Sequence, residues 1–73
     1  PVTTIDFVIP VNSNVQLKIY NAAGKEVKVI INKQMSKGNY SVTFDGTELS
    51  SGVYFCKIIA GDFTSVKKMV MIK

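Results

Sequence analysis

The strongest constraint on this chain is a period-two alternation of apolar and polar residues, broken at short intervals by turn-forming ones. Side chains on a strand point to opposite faces in turn, so this pattern builds half-buried β-strands, and helical periodicity is hard to find. Ile5, Phe7 and Ile9 alternate with Thr4, Asp6 and Val8 until Pro10 ends the run. Val15, Leu17 and Ile19 alternate with Gln16 and Lys18, and Tyr40, Val42 and Phe44 with Ser41 and Thr43. The stretch "VYFCKIIA", 53–60, is apolar on both faces except for Lys57, as expected of a central strand with Tyr54, Cys56 and Ile58 inward. A "GD" hairpin turn at 61–62 leads into a last strand from Phe63 to Ile72.

Between these runs the reading is less uniform. Residues 26–31 allow two registers: Val27, Val29 and Ile31 on one face, or a bulge that puts Val27 and Ile30 together. "NAAG", ending in Gly24, reads as a turn and "NKQMSKG", 32–38, as a loop. "DGTELSSG", 45–52, carries two turn signals around Leu49, which is expected to plug one end of the core. Internal repeats and low-complexity segments are not evident.

Closely spaced strands in a 73-residue chain predict an all-β fold: a small Ig-like antiparallel β-sandwich of six to seven strands, one domain over residues 1–73. A chain of this size buries only about 60% of the surface its unfolded form exposes. Cys56 is the only cysteine, so no disulfide within the chain can help, and it reads as a small buried hydrophobe. Tyr54 reads as a core or corner tyrosine. No apolar run approaches the length of a membrane helix, so membrane insertion is not expected. The chain starts at Pro1 and reads as a fragment of a larger secreted protein, monomeric in itself.

Several kinds of chemistry lack their residues. The net charge of +4 comes from nine lysines against five carboxylates, with no arginine. The lysines are scattered, and the guanidinium forks that read bases are missing, so no nucleic-acid partner is expected. With no histidine and one cysteine there is no zinc set, and the carboxylates are dispersed. Asp45 and Glu48 stand three apart, as in a turn. A serine nucleophile would lack a base. The chain reads as neither an enzyme nor a cofactor-binding domain.

Taken in order, "TTIDFVIP", "VQLKIYNAAGKEV" and "KGNYSVTFDGTELSSGVYFCKIIAGDFTSVKKMVMIK" resemble the type A C-terminal sorting domain of the type IX secretion system. The family shows an apolar strand ending in Pro, an "IYN..G..V" hairpin, a "G.....DG..L.SG.Y" block and a basic terminal strand. Its motif falls here on Gly24, Asp45, Gly46, Leu49, Gly52 and Tyr54. Its Tyr-Pro-Asn-Pro-like opening is missing, with Pro1 standing where the last residue of that segment would be. A related pattern occurs in the Ig-like domain of flagellar hook-capping proteins, so fold follows more directly than function.

The resemblance implies an address, not a catalyst. Such a domain follows an N-terminal cargo domain that reaches the periplasm. The outer-membrane translocon recognises it, and a sortase-like peptidase removes it as the cargo becomes secreted or surface-bound. The signal carried over by resemblance is "KKMVMIK": Lys67 and Lys68, the alternating pair Val70 and Ile72, and Lys73. A terminal strand can be read by pairing with a partner sheet. Physics alone favours an ordinary edge strand guarded by lysines, and it is the resemblance that reverses this. The alternative function is a structural or adhesive Ig-like module, a spacer or a carbohydrate-binding appendage. Against sugar binding, there is no tryptophan, and Tyr20 is the only tyrosine expected on an exposed face.

Overall fold

The computed structural model describes residues 2–72. They form six strands: β1 (Val2–Ile9), β2 (Ser13–Asn21), β3 (Glu26–Met35), β4 (Gly38–Asp45), β5 (Gly52–Ala60) and β6 (Phe63–Met71). All pairings are antiparallel. One sheet has two strands, β1-β4, and the other has four, in the order β3-β2-β5-β6. The fold is the small all-β sandwich that the alternation predicts.

The inward residues of both sheets make one core. Ile5, Phe7 and Ile9 of β1 and Phe44 of β4 face Val15, Leu17 and Ile19 of β2 and Tyr54, Cys56, Ile58 and Ala60 of β5. The β2 residues are completely shielded, because β2 lies between β3 and β5 in the larger sheet. Phe7 stacks on Tyr40 with ring centroids 5.6 Å apart, which joins β1 to β4 from within. Chain crossings between the sheets are held by side chains. The Oδ1 of Asn12, after β1, accepts the Lys37 N–H at 2.8 Å, tying the β1–β2 link to the β3–β4 link.

Two expectations need correction, and the register left open for residues 26–31 is decided. Residues 32–38 are not a loop: β3 continues to Met35 and β4 begins at Gly38. The polar run Asn32, Lys33 and Gln34 belongs to an edge strand paired with Gln16, Val15 and Asn14. Asn32, Lys33 and Gln34 are all exposed, so alternation is lost while pairing persists, and Met35 beyond them packs against the core. In β3 the bulged register holds. The ladder slips between Leu17 and Lys18 and again between Ile19 and Tyr20, leaving Ile30 and Val27 outside it. Val27 and Ile30 thereby reach the core while Val29 is left exposed. Finally, a repeat does exist. "SKGNY" and "SSGVY", 36–40 and 50–54, each end with a tyrosine whose hydroxyl donates to the carbonyl of the opening serine.

These two corners start β4 and β5. Tyr40 Oη donates to Ser36 O at 2.6 Å, and Tyr54 Oη to Ser50 O at 2.7 Å. Between serine and tyrosine, Gly38 and Gly52 take φ of 153° and 152°, a region that side-chain-bearing residues rarely adopt. The glycine turns the chain onto the sheet and the tyrosine locks the turn.

Candidate recognition face on the terminal strand

The terminal strand is positioned by its register with β5. Gly52 pairs with Met71, Val53 with Val70, Tyr54 with Met69, Phe55 with Lys68 and Cys56 with Lys67. Since Tyr54 and Cys56 point into the core, Met69 and Lys67 share the inner side, while Lys68 and Val70 point out. Met71 is buried and Met69 half-buried against the core. Val70 is 63% exposed, and Ile72, just beyond the strand, 77%.

The "DG..L.SG.Y" block holds this strand from inside. A Cβ added at Gly46 would lie 2.2 Å from Met71 Sδ and 2.6 Å from its Cε, so the absent side chain is what admits Met71. Asp45 folds the turn beside it: its carboxylate accepts the Thr47 N–H at 2.9 Å and also the Thr47 hydroxyl. Those bonds hold the Asp45 pKa below its ordinary value. The Leu49 N–H donates to Gly46 O at 2.9 Å, and Leu49 lies half-buried against the core. Gly52 and Tyr54 then pair with Met71 and Met69. Gly24 has a separate place, donating to Asn21 O at 2.9 Å in the β2–β3 turn.

The residues expected to form the signal are therefore not all together. Lys68, Val70 and Ile72 are exposed, the first two outward on β6. Lys67 sits on the opposite face from its neighbour. Its ammonium donates to Asp6 O on β1 at 3.3 Å, crossing the open side between the two sheets. Both lysines lie within β6. Lys73 lies outside the described residues. On the inner side, burial pushes the Cys56 thiol up, against a weaker opposing pull from Lys67, which disfavours the nucleophilic thiolate. Among the described residues no group of three or more His, Cys, Asp or Glu side chains is placed to hold a metal ion.

The outer surface of β5 is the feature that alternation alone leaves unplaced. As a central strand with no layer over it, β5 shows Val53, Phe55, Lys57 and Ile59 half-buried on the solvent side. The signal was present in the residues, since "VYFCKIIA" is apolar at outward positions too.

Comparison with known proteins adds one match. The family model described as the secretion system C-terminal sorting domain matches residues 1–73, the whole chain. No curated protein and no solved structure matches it.

Proposed function

From the premise that this chain belongs to the family of type IX secretion system C-terminal sorting domains, we propose that its recognised element is the outer face of β6, carried by Lys68, Val70 and Ile72. The family role makes the chain a sorting signal for an attached cargo, which is exported to the cell surface or secreted, and the family is not a catalytic one. In the reading proposed here the cargo arrives in the periplasm, the domain engages the outer-membrane translocon, and a sortase-like peptidase cuts it away at the surface.

One observation carries the choice of residues. Met71 is anchored inside the sandwich while Val70 and Ile72, on either side of it in sequence, stand open to solvent. Apolar side chains at exposed strand positions add little to folding and are ready to contact a partner. Lys67 is left out of the address, because its ammonium is occupied in bridging to β1. Lys73 remains a proposed terminal charge of the signal.

The test fuses the chain behind a reporter carrying an N-terminal export signal, in a bacterium with the type IX machinery. Val70→Thr with Ile72→Thr, and separately Lys68→Glu, are expected to strand the reporter in the periplasm. Exposed substitutions of this kind shift stability by only about 0.5 kcal/mol each, so thermal unfolding should barely move. Full export of both folded variants would sink the assignment of the address to this face.

A further inference from the structure

We propose that the outer face of the four-stranded sheet docks a second protein through a carboxylate set among apolar side chains, received between Lys57 and Lys68. The inference deepens the sorting reading, on which it rests for the compartment where the partner is met. It reaches beyond β6 to residues of β2 and β5.

The two sheets of the sandwich differ on their outer surfaces. On the smaller sheet the outward positions of β4, Asn39, Ser41 and Thr43, are all exposed and polar, and on β1 the exposed Val2 and Val8 are set apart from each other by Thr4 and Asp6. On the larger sheet the outward positions of β5 are Val53, Phe55, Lys57 and Ile59, and on β6 Val66 and Val70 stand beside them. Val66 and Val70 are more than half exposed. Single exposed apolar residues need no explanation, but a contiguous set across neighbouring strands marks a contact surface.

The charges decide what would cover it. In register across the sheet, Lys18 of β2 lies directly opposite Lys57 of β5, and Lys57 opposite Val66 of β6. Like charges directly opposed on neighbouring strands are destabilising. Lys18 is relieved by Glu26, 3.1 Å away on the edge strand β3. Among the described residues Lys57 and Lys68 have no ion pair with a carboxylate. Lys57 stands between Phe55 and Ile59 along its own strand, so anything that covers the apolar side chains covers its ammonium as well. A buried ammonium needs a fixed opposite charge, which a carboxylate on a protein surface supplies at a set position. A second copy of this face would bring lysines onto lysines. A membrane would meet the lysines with headgroups while holding the valines and Phe55 at a similar depth, because all lie on one sheet face and not on a protruding loop.

The test places a photo-crosslinking amino acid at Val66, or at Thr43 on the other sheet as control, in the reporter fusion described above. The expected result is a crosslink to one protein at Val66, at least tenfold above Thr43. The captured peptide, read by mass spectrometry, should hold an Asp or Glu flanked by apolar residues. Lys57→Glu should lower that crosslink at least tenfold while leaving the unfolding temperature unchanged or higher, since it removes the repulsion with Lys18. Replacing the partner's carboxylate with lysine should restore the crosslink to the Lys57→Glu protein. Three results would overturn the proposal: no crosslink above control, a crosslink only to a second copy, or pelleting with phosphatidylethanolamine–phosphatidylglycerol vesicles that Lys57→Glu abolishes without any protein crosslink. Export is scored separately. If the unmodified fusion is not exported, the sorting reading falls, while the crosslink at Val66 still decides whether the face docks a protein.

Discussion

At the scale of single residues, the conformation around Asp45 shows how one side chain shapes the end of the core. Its carboxylate accepts two bonds from Thr47, folding the turn that delivers Gly46 to Met71 and Leu49 to the core edge. Those bonds favour the ionised form, so the folded-state pKa lies below the ordinary 3.8. A carboxylate depressed in this way stabilises the fold fully above its unfolded pKa, and the contribution is lost as pH falls through the folded value. Asp45→Asn is therefore expected to lower the urea midpoint at pH 7, and the difference from wild type should shrink as pH falls from about 4 toward 2. Urea titrations at both ends of that range check it; a difference that stays constant would mean that charge at this position does not stabilise the turn. Phe44 shows another residue-scale feature: it is fully buried, yet the Lys28 ammonium lies over its ring, 5.4 Å from the centroid, at the margin of the core.

At the scale of elements, β6 has two roles on its two faces. Its inner face belongs to the core through Met69 and Met71, and its whole length pairs with β5. Removing residues 69–73 would therefore take away a buried side chain and several ladder bonds along with any address, so truncation does not separate folding from export. Point changes do. Met71→Ala is expected to destabilise by about 2–5 kcal/mol, as for other buried large-to-small changes. In a domain this small that is a large part of the total. Val70→Thr, one residue earlier but outward, should stay within about 0.5 kcal/mol. Chemical denaturation of the two variants gives the comparison, and equal losses would show that the alternation at the strand end is misassigned. β4 and β5 owe their starts to the paired tyrosine corners, which place both strands from the same local geometry on different sheets.

At the scale of the whole molecule, topology sets the folding problem. β1 pairs with β4 across two intervening strands, and the chain crosses between sheets after β1, β3 and β4. No sheet is built from neighbours in sequence alone. Loops must close before these distant pairings stabilise anything, so folding is expected on the millisecond-to-second scale of small β-sandwiches. Stopped-flow refolding from urea checks this, and a microsecond phase carrying the full amplitude would contradict it. A slow-forming sandwich with an apolar outer sheet face also spends longer with apolar strands uncovered, a state prone to aggregation.

Strand number, the inward residues of β1, β2, β4 and β5, the hairpin at Gly61–Asp62 and the family likeness were all legible in the residues themselves. Each depends on local information: a two-residue side-chain period, turn chemistry, or the order of short motifs. Tertiary structure decided three things that local pattern cannot carry. The end of β3 is a strand despite its polar run, because an edge strand is held by main-chain bonds to β2 and needs no apolar face. The adjacent pair Lys67 and Lys68 divides between the inside mouth of the sandwich and its outer surface, because consecutive residues on a strand face opposite ways and the pairing with β5 says which is which. The apolar outward residues of β5 lie open on one side, because two layers cover only the inner face of each sheet. Alternation fixes which side chains travel together; only the packing of one sheet on the other determines which group is buried and which is left to meet a partner.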